Sequence, residues 1–357
     1  MKSFVMILSI SILSLAIVTF IGYSAPVYSQ SPPSIGIMSD SNSDEYRADD
    51  NRGGIYAATT LNWVEILVRE RNFNVGIWGT RSEPRRSGYA YNWARSGATA
   101  NTMISVGQHW GLAQQVASGL INTVVLQIGG NDFAWYRSDG YEPIYSGTLI
   151  GNALQQKLEA IVTDITTAVE TVLAAGQVKF LLVSVPDQNL SPVVLATFPD
   201  PVKRARVGEA ISYVNSKLQL LAQEKGISYI DMNSYYLELQ ATRGNPDGSF
   251  TVGGEVISMS SFGDEPHHGI LGDQIHGGTV IEGLLATKFI SLINELNGTN
   301  ILPLSDSEIL SAAGILSCTD SDQNGKVNAL DFGKMVRLNA QPQLLRSVIS
   351  NWLSACI

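Results

Sequence analysis

Short apolar runs alternate with amphipathic stretches of helical length through most of this chain, and that alternation restricts the fold more than any other feature. The runs are "SIGIMS" (34–39), "VGIWG" (75–79), "TVVLQIGG" (123–130), "KFLLVSVPD" (179–187) and "ISYIDM" (227–232). Between and after them, residues 62–72, 101–119, 151–175, 204–226 and 280–296 space their apolar side chains at the helical period. Strands that are apolar on both faces and separated by helices predict an α/β protein: a mostly parallel five-stranded sheet covered on both sides. In such sheets, chemistry gathers at the carboxyl ends of the strands. The residues just past these runs are therefore the ones to inspect.

The remaining composition narrows the setting. A chain of 357 residues that is 45% hydrophobic can bury a large core. A net charge of −9, with no basic stripe beyond "RSEPRRSG", excludes nucleic acid as a partner. Lys2 precedes an apolar run without charge as far as Gln30, and small residues before Gln30 fit a signal-peptidase site. Residues 1–29 thus read as a signal peptide cleaved after Ser29, which places the protein outside the cell, at its surface or in a periplasm. No second apolar run reaches membrane-spanning length, so no membrane association is expected after cleavage. The two cysteines, Cys318 and Cys356, allow one disulfide in an oxidising compartment.

Four separated pieces converge on one chemistry. Ser41 follows the first run in "SDS" (39–41), and Gly97 lies in "SGAT" (96–99). Asn131 ends the third run in "GGND" (129–132), while Asp273 and His276 share "DQIH" before the last helix. A serine nucleophile needs a base for its proton, a carboxylate to fix that base, and donors for the developing oxyanion. The Asp-x-x-His spacing brings the carboxylate against Nδ1 in a tight turn and leaves Nε2 for the serine. The N–H groups of Ser41 and Gly97 and the Asn131 amide supply the donors.

In this order the pieces resemble the SGNH (or GDSL) family of serine hydrolases over roughly residues 34–296. The resemblance implies a flavodoxin-like three-layer sandwich that hydrolyses carboxylic esters without a catalytic cofactor. Carried over position by position, it implies Ser41 as nucleophile, His276 as base, Asp273 as its orienter, and Gly97 and Asn131 in the oxyanion hole. One departure stands out: Ser39 occupies the place of the family's glycine, which matters if that backbone needs a positive φ or close packing. The Gly-x-Ser-x-Gly elbow of larger lipases is absent.

A rival pair, Asp264 and His267 in "GDEPHH", has the same spacing but contains Pro266 and reads as an exposed turn. Aromatic residues crowd 88–93 and 133–145, where they suit an acyl pocket, a sugar platform or plain core packing. No mobile apolar lid is evident, which favours small soluble esters or acylated glycans over triglyceride. The alternative to an enzyme is an exported binding scaffold built on a degenerate hydrolase domain.

A compositional break near Asn297 places the hydrolase domain at 30–300 and a small helical module at 301–357, opened by a Ser305–Glu308 capping box. Within it, "DSDQNGKVNALD" sets oxygen donors at Asp320, Asp322, Asn324, the Lys326 carbonyl and Asp331, with Gly325 at the sharp turn. That is the spacing of a twelve-residue calcium loop, so a structural Ca²⁺ is expected. The loop resembles one repeat of a dockerin. A dockerin has two, so a cohesin-like partner is the lesser expectation.

Overall fold

A computed structural model describes residues 32–48 and 50–315. The signal segment, the calcium-loop positions Asp320, Asp322, Asn324, Lys326 and Asp331, and the Cys318–Cys356 pair all lie outside them.

The chain opens with β1 (Ile35–Ser39), α1 (Trp63–Arg71) and a short hairpin of β2 (Trp78–Thr80) and β3 (Ser87–Tyr89). There follow α2 (Ala100–Ser105), α3 (Gln108–Ala117), β4 (Thr123–Gln127), α4 (Tyr141–Ser146), α5 (Gly151–Ala175) and β5 (Lys179–Val183). Next come α6 (Pro192–Thr197), α7 (Pro201–Lys225), β6 (Ser228–Ile230) and α8 (Met232–Arg243). A small sheet of β7 (Phe250–Val252), β8 (Glu255–Phe262) and β9 (His268–Ile270) precedes α9 (Thr279–Asn297) and α10 (Asp306–Ala312).

The central sheet is parallel and has four strands in the order β1-β4-β5-β6. Its alternating side chains feed two separate cores. Met38, Val124, Leu126, Phe180 and Leu182 face one, packed by α3, α5 and α7. Ile35, Ile37, Val125, Leu181 and Val183 face the other, with α1, α9 and the small sheet. The expected three layers are present, with four strands in place of five.

The missing strand is instructive. The run at 75–79 does not join the sheet; Ile77 is 83% exposed and the chain turns out into the β2–β3 hairpin. An apolar run of that length does not by itself separate a buried strand from an exposed one. The outer edge of β1 is closed instead by the Asn74 carbonyl on Ile35 N–H and by an irregular segment at 91–95. There Trp93 and Arg95 donate their N–H groups to the carbonyls of Ile37 and Ser39 at 2.8 and 3.1 Å. The helix read over 101–119 also differs: it is two helices, α2 and α3, parted at Gly107.

The break expected at residue 301 is not a break in packing. Leu304, Ile309, Leu310, Ala313 and Ile315 are buried in the second core. The Ser305–Glu308 capping box does start a helix, α10, but Asp306 pairs with Arg243 and Glu308 with Arg71. Residues 301–315 therefore belong to the hydrolase body.

Candidate active site

Ser41 lies two residues beyond β1, in a turn closed by the N–H groups of Ser43 and Asp44 on the Asp40 carbonyl. The turn's own carbonyls are satisfied by side-chain amides, Asn92 on Ser43 and Asn62 on Asp44, at 2.7 and 2.8 Å. Asp40 is fully enclosed, and burial pushes its carboxyl up to about 6 against the hydrogen bonds from Asn42. Ser39 fits without strain. Its φ is not positive, and its buried hydroxyl accepts from Ser43, which in turn accepts from the Trp63 indole, at 2.9 and 3.1 Å. The hydroxyl fills the space a glycine would leave and ties the turn to α1.

The oxyanion candidates arrive from two neighbouring loops. Segment 91–95 runs beside β1 and delivers Gly97 next to the turn that carries Ser41. Gly97 has φ +78, a left-handed conformation that only glycine adopts at little cost, although a Cβ there would meet nothing within 4 Å. Conformation, not crowding, requires glycine here. Asn131 sits in the 3₁₀ turn after β4. Its Nδ2 donates to the Ala98 carbonyl at 3.0 Å, and its Oδ1 accepts from the Tyr136 hydroxyl. Asp132 accepts from Ala100 N–H at 2.9 Å, a second tie between the same two loops.

The Asp273–His276 pair is built on one turn. Asp273 Oδ2 lies 2.6 Å from His276 Nδ1, and Oδ1 accepts from the His276 backbone N–H at 3.0 Å. Burial pushes the Asp273 carboxyl up, but the hydrogen bonds and charge of His276 outweigh it and hold the group well below the usual carboxylate range. His276 Nε2 is buried and has no hydrogen-bond partner among the described residues. No hydrogen bond joins it to Ser41, as is common before substrate arrives. Ser41, Asn131 and the residues flanking His276, Ile275 and Gly277, border one cavity of about 290 Å³.

The rival His267 is exposed and pairs with Glu255. His109 is buried on α3.

Three residues here were not legible in the sequence. Arg52, in an irregular stretch after β1, places Nη1 2.6 Å from Asp273 Oδ2 and 2.8 Å from His276 Nδ1. Tyr46 meets the His276 ring edge-on at 6.0 Å, and its hydroxyl lies 3.2 Å from both the Gly277 carbonyl and Glu282 Oε1. Glu282 also accepts from Trp63 N–H, and burial pushes its carboxyl up to about 8. One arginine among acids and a glutamate in a helix's first turn give no sequence signal for such contacts.

The comparisons with solved structures give distant likenesses. A gut microbial diltiazem-metabolizing enzyme matches with TM-score 0.40 and 14% identity over 74% of this chain, which spans 47% of that enzyme's length. An acetyl xylan esterase from Geobacillus stearothermophilus matches with TM-score 0.41 and 16% identity, over 74% of this chain and 95% of that one. An extracellular lipase from Streptomyces rimosus matches with TM-score 0.36 and 15% identity, over 58% and 83%. No curated protein matches. The family comparison reaches further, since residues 40–254, more than half of the chain, match one acylhydrolase family. That span holds Ser41, Gly97 and Asn131 but ends before Asp273 and His276. The chain belongs to the GDSL-like Lipase/Acylhydrolase family and is an ester hydrolase.

Proposed function

We propose that this protein cleaves carboxylic esters through Ser41, His276 and Asp273, and that its preferred acyl group is an unbranched chain of several carbons. Ser41 Oγ attacks the ester carbonyl carbon while its proton passes to His276 Nε2. Negative charge gathers on the carbonyl oxygen, where the N–H groups of Ser41 and Gly97 and the Asn131 amide receive it. The carbon–oxygen bond to the leaving alcohol then breaks, and the alcohol takes the proton from His276. Water repeats the sequence on the acyl-serine, releasing the acid and restoring Ser41.

The observation behind the substrate preference is the cavity. It begins at Ser41 and Asn131 and continues between apolar side chains of Met232, Leu239, Met259, Ile281 and Leu285. An acetyl group would leave most of that surface uncovered. Each methylene buried there is worth about 0.8 kcal/mol, roughly a fourfold gain in kcat/KM. The expectation of small esters drawn from the lack of a lid therefore gives way to longer acyl chains.

The test is a chain-length series of p-nitrophenyl esters, from acetate upward, on wild type, Ser41→Ala and Leu285→Trp. We expect kcat/KM to climb with chain length and then level off, Leu285→Trp to favour acetate, and Ser41→Ala to be inert. Highest turnover on acetate in the wild type would reject the acyl-chain reading. Turnover by Ser41→Ala equal to wild type would support the non-catalytic scaffold instead.

Export and calcium belong to the same proposal. The apolar residues before Ser29 support cleavage and release from the cytoplasm. The oxygen donors of Asp320, Asp322, Asn324, Lys326 and Asp331 suit a hard cation with a structural role. Calorimetric titration of the full chain with Ca²⁺, compared with Asp320→Ala, tests it; equal heats would remove the ion from the proposal.

A further inference from the structure

Arg52 touches the acid–base pair with one arm of its guanidinium and the oxyanion side with the other. Nη1 lies 2.6 Å from Asp273 Oδ2 and 2.8 Å from His276 Nδ1. Nη2 lies 2.9 Å from Asp50 Oδ2 and 3.4 Å from Ser96 Oγ, and that hydroxyl in turn donates to Asp50. Ser96 immediately precedes Gly97, and its backbone N–H is fixed by Asp44 at 2.7 Å. The guanidinium itself is held over the Tyr46 ring at 5.5 Å, with Arg52 N–H on the Tyr46 carbonyl. Its side chain is 15% exposed.

We infer that Arg52 is a positioning residue, a clamp that sets the Asp273–His276 turn and the Ser96–Gly97 loop at a fixed separation. This rests on the ester-hydrolase reading above. The physical argument turns on the loops themselves. Asp273 and His276 sit in a turn mounted on β9, while Gly97 hangs from the irregular edge of β1. Among the polar contacts of the described residues, the Arg52 fork is the one that spans both groups directly. The planar guanidinium presents its N–H groups in a rigid fork, so two anchors at once restrict orientation as well as distance. A lysine ammonium, a single point on a flexible stem, reaches one anchor at a time.

Placing a cation beside an imidazole that must accept a proton has a cost. Asp273 and Asp50, one on each arm, offset it by neutralising the guanidinium on both sides. The clamp reading and its opposite, an electrostatic brake, therefore predict effects of opposite sign. If Arg52 chiefly repels the protonated imidazole, its removal speeds turnover. If it chiefly holds geometry, removal slows it.

The experiment measures kcat and KM on p-nitrophenyl butyrate for wild type, Arg52→Ala, Arg52→Lys, Ser96→Ala and Ser41→Ala. Inhibition by a trifluoromethyl ketone is measured alongside, because that adduct needs base and oxyanion donors together. A misplacement of about 1 Å costs on the order of 100-fold in rate. Arg52→Ala should lose kcat on that scale with KM little changed, and ketone affinity should fall in parallel. Exogenous guanidinium at sub-denaturing concentration should restore part of the rate. Arg52→Lys should remain impaired, and Ser96→Ala, which deletes the distal anchor only, should fall between wild type and Arg52→Ala.

Wild-type or faster kcat in Arg52→Ala overturns the clamp. Should Arg52→Ala not fold, wild-type kcat in both Arg52→Lys and Ser96→Ala overturns it equally. Turnover retained in Ser41→Ala would instead sink the nucleophile assignment, whatever the Arg52 variants do.

Discussion

The side-chain amide of Asn131 donates to the carbonyl of Ala98 at 3.0 Å, so one residue after β4 fixes the backbone just past Gly97. One N–H of the amide is committed to that contact. The other has no partner among the described residues, and the Tyr136 hydroxyl on Oδ1 fixes which way the amide faces. Asn131→Ala should lower kcat by about 10²–10³, through loss of the donor and release of the Ala98 carbonyl. Tyr136→Phe keeps the donor and loosens its aim, so a smaller loss is expected. Steady-state kinetics on one ester distinguishes them; equal rates in wild type and Asn131→Ala would remove this residue from the oxyanion hole.

Two histidines share the same local spacing to an aspartate, and the structure separates them by burial. His276 is 5% exposed and bound to Asp273, whereas His267 lies on the surface beside Glu255. His276→Ala should abolish ester hydrolysis, and His267→Ala should leave it near wild type. Asp273→Asn should fall between, since the imidazole loses its orienting charge but keeps a partner of the same shape. Loss of activity in His267→Ala alone would reverse the assignment.

Glu282 gives a prediction about stability. Burial raises its carboxyl from the usual 4.5 to about 8, and Glu45 behaves alike. A raised carboxyl binds its proton more tightly in the folded chain than in the unfolded one. Its contribution is complete below about 4.5 and is lost as pH rises through about 8. Tm should therefore decline across that interval, and Glu282→Gln should flatten part of the decline, with Glu45 and the raised carboxyls of Asp40, Asp44 and Asp132 contributing to the rest. A Tm difference between wild type and Glu282→Gln that is the same at both ends of the interval would refute the coupling.

Residues 301–315 yield a prediction about where the chain divides. Ile309 is 1% exposed and packs into the second core. Ile309→Ala should cost about 2–5 kcal/mol, read as a loss of stability in urea. A chain ending at residue 300 should be markedly less stable than one ending at 315. Equal stability of the two would restore the boundary at 301.

What the sequence revealed, and what it hid, follows from the range of the interactions. Strand β4 and helices α5 and α9 were legible because their apolar spacing is local. Asp273 and His276 were legible for the same reason, being three residues apart. Ser41, Gly97 and Asn131 were proposed from their order along the chain, with Ser41 and Asn131 just past the first and third apolar runs. The run at 75–79 misled because an apolar pentapeptide looks the same whether a sheet or solvent lies beside it. The small sheet β7–β9 was missed because β7 and β9 have three residues each and β8 mixes polar and apolar residues without a long apolar run. Arg52 was invisible: nothing near residue 52 indicates a partner at 273 or 276, 221 and 224 positions away. The Ser39 substitution could be seen, but its compensation by Ser43 and Trp63 is tertiary.

The turn that carries Asp273 and His276 closes on itself, Gln274 N–H on the Leu271 carbonyl and Leu271 N–H on the His276 carbonyl. The spacing of carboxylate and imidazole is thus a property of six consecutive residues and owes nothing to the central sheet. A segment of that kind is a transplantable cartridge. Moved between relatives of differing cleft shape, it would keep its internal chemistry and need only be aimed again.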